Sequence, residues 1–180
     1  MEGDKFDIKD DYLNDAHLIQ LDKLICSSHF PWYFQESQTK GVDDGFFFSH
    51  ILYNVDTPRS DYYNPVINIF ENYLKYDSLC RITCNLVLRQ NTPSISGWHT
   101  DFTNDIDELI EKFGWPTEDK ITTAIFYLNT NNGCTEFEGG EKSDCIKNRF
   151  AIFPTNIPHR AIGQTDTNQR IVLNFNYINK

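Results

Sequence analysis

Two stretches of this 180-residue chain alternate so strictly that each reads as a strand with one wholly apolar face. Successive strand side chains point to opposite faces, so residues two apart share a face. In 81–89 the apolar set is Ile82, Cys84, Leu86 and Leu88, against Arg81, Thr83, Asn85, Val87 and Arg89. In 170–177 it is Ile171, Leu173, Phe175 and Tyr177, against Arg170, Val172, Asn174 and Asn176. The apolar faces need cover. For the polar faces the pattern alone favours solvent, the usual arrangement of an antiparallel sheet with one wet side. The alternative is the polar-lined interior of a barrel whose apolar outer faces are covered by helices.

The rest of the chain supplies candidates for both layers. Asn14 is placed to cap a helix over 15–25, in which Leu18, Leu21, Leu24 and Ile25 recur at helical spacing. A second helix is expected from Asn64-Pro65 to about Tyr76, with a stripe running from Val66 through Phe70 to Leu74. Gly45 to Tyr53 reads as a strand, and further strands are expected at 120–128, 134–138, 149–153 and 158–162. Turn signals such as Asn131-Asn132-Gly133 and Gly139-Gly140 separate them. The chain is thus mainly β with flanking helices. Residues 90–119 read as one long irregular stretch, and the acidic run Asp105, Asp107, Glu108 and Glu111 within it reads as a solvated helix face.

Composition narrows the function classes. A formal charge of −10, with no Lys/Arg cluster, opposes the attraction to phosphates on which nucleic-acid and anionic-membrane binding depend. The five cysteines are odd in number and lack C-x-x-C spacing, so they are expected to be reduced and mostly buried. The acidic N-terminus has no apolar leader segment and no stretch is long enough to span a bilayer, which predicts a cytoplasmic protein.

Chemistry concentrates in the second half. Gly97-Trp98-His99-Thr100-Asp101 holds a His-x-Asp pair, which in extended backbone aims an imidazole and a carboxylate from one side. Alone the pair is a weak signal, since chance supplies such spacings. It sharpens at Phe150 to His159, where a strand and turn deliver a second histidine 58 positions after Asp101. Two histidines and one carboxylate from different segments can form the facial triad that leaves open positions on Fe(II). Eleven residues further on, Arg170 opens the last strand on its polar face, and a buried arginine there would need a carboxylate or phosphate partner. His17, His29 and His50 have no such company. Trp98 and Phe102 beside the triad, and Trp32, Tyr33 and Trp115 elsewhere, are expected chiefly to pack.

These residues resemble a known family. His99-x-Asp101, His159 and Arg170 look like the His-x-Asp…His…Arg signature of Fe(II)- and 2-oxoglutarate-dependent oxygenases. The phrase Ile121-Thr122-Thr123-Ala124-Ile125-Phe126-Tyr127-Leu128-Asn129 resembles the prolyl-hydroxylase-like branch. Asn85-Leu86 with Arg89, the run Asn129 to Gly133 and the ending Arg170 to Tyr177 look most like small stand-alone members carried by tailed bacteriophages. The likeness covers roughly residues 80–178. It departs from collagen-type enzymes in having Arg170 where they have lysine, and in placing Arg89 ten positions before His99, where some relatives have a cosubstrate tyrosine.

The resemblance implies a double-stranded β-helix of jelly-roll, cupin-like form, as a single domain over 1–180 with helical support in about 1–79 and the core in about 80–178. It implies Fe(II) on His99, Asp101 and His159, and 2-oxoglutarate and O2 as cosubstrates. Arg170 and Tyr127 would hold the distal carboxylate, with Asn85 and Arg89 as further candidate cosubstrate contacts. The implied reaction is hydroxylation of a protein or peptide side chain or a small molecule, with succinate and CO2 released, in host cytoplasm if phage-encoded. A non-catalytic cupin-like metal-binding module and a nucleic-acid demethylase of the same chemistry are the alternatives.

Overall fold

The computed structural model describes residues 6–39, 42, 45–102 and 106–179. In chain order the elements are β1 (Asp7–Lys9), α1 (Asp15–Ile25), β2 (Tyr33–Gln35), β3 (Phe47–Asn54), β4 (Thr57–Pro58), α2 (Tyr63–Phe70) and β5 (Ser78–Leu88). Then come α3 (Ile106–Phe113), a 3-10 turn (Glu118–Lys120), β6 (Ile121–Tyr127), β7 (Cys134–Phe137), β8 (Lys142–Asp144), β9 (Arg149–Pro154), β10 (His159–Ile162) and β11 (Gln169–Ile178).

Among the described residues the strands form two antiparallel sheets. The large one has the order β1-β9-β6-β11-β5-β3-β2, with β4 paired to β3, and the small one the order β10-β7-β8. At the centre of the large sheet β11 lies between β5 and β6, so that Val172 faces Asn85 on one side and Tyr127 on the other.

The two-faced strands resolve against the solvent reading. Ile82, Cys84, Leu86, Ile171, Leu173 and Phe175 form the main core with Leu21 and Ile25 of α1 and Val66, Ile69 and Phe70 of α2. The opposite faces point between the sheets, where Arg170 and Asn176 are buried. The reason is the helices: each has an apolar stripe that must be covered, and the apolar face of the large sheet is the matching surface.

Local chemistry explains the element ends. Asn14 caps α1, its side chain accepting from His17 N at 2.9 Å. α2 stops at Phe70, short of the expected Tyr76, because the chain turns to bring Tyr73 against Tyr12 and its hydroxyl to 2.9 Å from His17 Nδ1. The stretch expected to be irregular contains α3, whose Leu109 is buried with Phe102 and Trp115 while Asp107, Glu108 and Glu111 face solvent. Asp105 lies outside the described residues. Cys80, Cys84 and Cys145 are buried, Cys26 is exposed, and all five cysteines are free thiols. No helix among the described residues is long and apolar enough to cross a membrane.

Candidate metal centre

The segment before α3 is drawn onto the small sheet. Ile95 and Ile162 form one antiparallel bridge and His99 and His159 another, the latter closed by His99 N to His159 O at 3.1 Å and His159 N to His99 O at 2.9 Å. This pairing places two imidazoles from distant parts of the chain side by side, their ring centroids 4.7 Å apart. Gly97 packs closely against Thr39, whose side chain would lie 3.2 Å from a Cβ added there.

His99, Asp101 and His159 each offer one ligand atom, and those atoms all lie within 4.8 Å of one another. The histidines are oriented for ligation. His99 Nδ1 is 2.9 Å from the Gly97 carbonyl and His159 Nδ1 is 3.2 Å from the Ile157 carbonyl. A carbonyl only accepts, so each Nδ1 carries a proton and each Nε2 is the nitrogen turned towards the other ligand residues. Burial holds His159 below the usual imidazole range, ahead of the opposing pull of Asp101, which keeps its Nε2 lone pair free. Burial alone would raise the Asp101 carboxyl. The Arg81 guanidinium, His159 and hydrogen bonds from Asn176 and Thr123 outweigh it and hold the group ionised, at about 2. Two imidazoles held through Nδ1 and one ionised carboxylate are the donor set of a 2-His-1-carboxylate iron site, so the residues present fit that metal.

His99 and His159 line a cavity together with Arg170, Asn85, Asn174 and the apolar side chains of Val87, Ile125 and Val172, and Asp101 stands beside the two histidines. Arg170 is only 4% exposed, yet among the described residues no carboxylate lies within ion-pair distance of it. Its Nε lies 3.0 Å from Cys145 Sγ and its NH2 3.3 Å from Thr135 Oγ1, which are weak and neutral partners for a buried cation. Tyr127 is fully buried beside it, donating to Thr135 Oγ1 at 2.8 Å, and burial pushes its phenol up to about 12.

The structure therefore brings His99, His159, Arg170 and Asn85 to one cavity, with Asp101 beside the two histidines and Tyr127 beside Arg170. It does not bring Arg89, which is exposed just beyond the end of β5 and absent from the cavity lining. Of the flanking aromatics, Phe102 is buried beneath the Arg81 guanidinium at 4.5 Å, whereas Trp98 is 45% exposed with Arg160 over its ring at 4.5 Å. Sequence reasoning missed what surrounds Asp101. Arg81, Thr123 and Asn176 all contact it, and the available signal was that Arg81 and Asn176 stand on the polar faces of the two alternating strands.

No family model matches the sequence, and no curated protein matches it. Solved structures do. Over 97% of this chain and 83% of the other, it superposes with a TM-score of 0.65 and 14% identity on a prolyl hydroxylase from Trichoplax adhaerens, solved with a hypoxia-inducible-factor oxygen-degradation-domain peptide fragment. A prolyl-4-hydroxylase from Pseudomonas putida matches with a TM-score of 0.59 and 11% identity, over 98% of this chain and 94% of that one. A non-heme α-ketoglutarate-dependent epimerase of nogalamycin biosynthesis matches with a TM-score of 0.62 and 14% identity, over 98% and 77%. The fold is a double-stranded β-helix. In this β-helix the small sheet and the inner face of the large one enclose the cavity lined by His99 and His159.

Proposed function

We propose that the protein is an Fe(II)- and 2-oxoglutarate-dependent dioxygenase of the hydroxylase type, with iron on His99, Asp101 and His159 and the distal carboxylate of 2-oxoglutarate on Arg170 and Tyr127. One observation supports it above the others: a buried guanidinium with no carboxylate partner among the described residues shares a cavity with the two histidines of a two-histidine, one-carboxylate cluster. A non-catalytic metal-binding module would explain the cluster and leave Arg170 buried without purpose, at a cost in stability.

The iron and its cosubstrates, when bound, supply the oxidation: a substrate C–H, O2 and 2-oxoglutarate become C–OH, succinate and CO2. The chain supplies position and dryness. Arg170 would hold the distal carboxylate, since a guanidinium can offer two parallel N–H donors, which lysine cannot. Tyr127 stays protonated at working pH and so donates rather than repels. Val87, Ile125 and Val172 line the cavity and would exclude water from a dicarboxylate held there, and Asn85 adds a carboxamide to the same lining. Arg89 has no part in this account.

We assign the substrate to peptide or protein side chains or to small neutral or basic molecules. The support is the −10 charge, which disfavours phosphate-rich ligands, and the likeness to a fold-mate that takes a peptide. The sequence resemblance to stand-alone phage enzymes favours a single catalytic domain acting in host cytoplasm. The test incubates the iron-loaded protein and 2-oxoglutarate with separate pools of host-cell peptides, free amino acids and methylated oligonucleotides, measuring succinate above the substrate-free rate. Stimulation by the peptide or amino-acid pool is expected. Stimulation by methylated oligonucleotides alone would replace the assignment with a demethylase.

A further inference from the structure

Counting lone pairs at Asp101 leads further than the triad itself. An ionised carboxylate offers about four lone-pair sites. Oδ2 accepts from Asn176 Nδ2 at 2.6 Å and from Thr123 Oγ1 at 2.9 Å, which fills it. Oδ1 faces Arg81 NH2 at 3.2 Å and lies 4.0 Å from His159 Nε2. Oδ1, the oxygen nearest the second histidine, carries only this ion pair and keeps lone-pair density free.

The donors are themselves locked. Asn176 Nδ2 also donates to Thr123 Oγ1 at 2.9 Å, while its Oδ1 accepts from Arg81 Nε at 3.0 Å. Thr123 Oγ1 is 2.8 Å from Thr155 Oγ1. An ionised carboxylate only accepts, so Thr123 spends its one proton on Asp101, and its two lone pairs accept from Asn176 and from the Thr155 hydroxyl. Arg81 also donates from NH1 to the Asp101 backbone carbonyl at 3.2 Å, fixing main chain and side chain together. The spacing comes from the sheet. Arg81 and Asn176 are cross-strand partners in β5 and β11, and Asn176 and Thr123 are partners in β11 and β6, so three neighbouring strands present the three donors at one level. Asn176 and Thr123 are fully buried, which removes water as a competitor.

We infer that Arg81, Asn176 and Thr123 are positioning residues that confine Asp101 to ligation through Oδ1 alone and thereby set the affinity and ligand geometry of the metal site. The inference rests on the reading of His99, Asp101 and His159 as metal ligands. With Oδ2 saturated, the carboxylate cannot swing to chelate a metal through both oxygens, and more coordination positions stay open for other ligands.

The test uses Co(II) alone, without 2-oxoglutarate, titrated anaerobically into the full chain while following the visible cobalt spectrum and the dissociation constant. Thr123→Val keeps the shape and removes only the hydroxyl, whereas Thr123→Ser keeps the hydroxyl. Thr123→Val is expected to weaken Co(II) binding by roughly 10–100-fold, the usual cost of losing an outer hydrogen bond to a ligand, and to change the spectrum. Thr123→Ser should restore both to near wild type. Asn176→Ser, which removes the other Oδ2 donor, gives an independent second reading with the same expected direction. Folding is checked separately by the thermal midpoint without metal, which a purely structural role would lower with no change in spectrum. Wild-type affinity and spectrum in Thr123→Val or Asn176→Ser would overturn the inference while leaving the metal site standing. Failure of the wild type to bind Co(II) would overturn the metal site and this inference together.

Discussion

Tyr127 and Arg170 converge on a single hydroxyl: Thr135 Oγ1 lies 2.8 Å from the Tyr127 phenol oxygen and 3.3 Å from Arg170 NH2. Both side chains donate, and the threonine oxygen is left to accept from each. Such a pair of donors with one neutral acceptor is poised for an anion, since a carboxylate would satisfy both better than a hydroxyl does.

Arg170→Met should separate stability from binding. A buried cation without an anionic partner costs stability, so replacing it by an apolar side chain of similar length is expected to leave the thermal midpoint of the metal-free protein unchanged or higher. The same change should abolish stabilisation by 2-oxoglutarate, which in the wild type amounts to about 2.7 kcal/mol at 100 times the dissociation constant. Thermal scans with Mn(II), with and without 2-oxoglutarate, check this. A full cosubstrate shift in Arg170→Met would remove Arg170 from the binding site.

Tyr127 also makes a prediction about pH. Burial raises its phenol, as it does that of Tyr12, to about 12. The folded state therefore holds these protons more tightly than the unfolded chain, whose tyrosines titrate near 10. The resulting stability is complete below pH of about 10 and is lost as pH rises towards about 12. Tyr127→Phe should flatten that alkaline decline, as followed by urea midpoints at rising pH. An equal decline in wild type and variant would contradict the assignment.

The outer face of the large sheet depends on Phe70. Its ring lies 4.6 Å from that of Phe175 and 5.3 Å from that of Phe126, at the point where α2 covers the central strands. Phe70→Ala is expected to cost about 3–5 kcal/mol by urea unfolding. A loss below about 1 kcal/mol would mean that α2 is not the principal cover.

Asn148 clasps the N-terminal segment to the core. It accepts from Leu13 N and donates to Leu13 O, both at 2.8 Å and both buried, from a left-handed backbone with φ of 66° that asparagine tolerates. Asn148→Ala leaves two buried groups unpaired and strains the backbone, so a loss of about 2–4 kcal/mol is expected by the same measurement. A change within about 0.5 kcal/mol would contradict the clasp.

Much of this was legible in the residues. Alternation in 81–89 and 170–177 identified both central strands and which side chains share a face. It could not say which face turns inward, because period-two patterning is blind to what lies on either side, and only the helices α1 and α2 settle that. The His99, Asp101 and His159 grouping followed from residue type and order. The cradle of Arg81, Thr123 and Asn176 did not, because it depends on cross-strand register, which is a property of three strands distant in sequence. Arg89 continues the polar face on paper, but β5 ends at Leu88 and the side chain leaves the cavity. The acidic run was legible as a solvated helix face, but the bounds of α3 were not, since only Leu109 of its apolar side is buried.

The central claim is that one cavity binds Fe(II) and 2-oxoglutarate together, and the most direct measurement is an anaerobic visible spectrum of the protein with both. The account predicts a weak charge-transfer band that appears only when iron and 2-oxoglutarate are both present. The band should be absent in Asp101→Ala and should require far more 2-oxoglutarate in Arg170→Met. No band in the wild type at saturating iron and 2-oxoglutarate would contradict it.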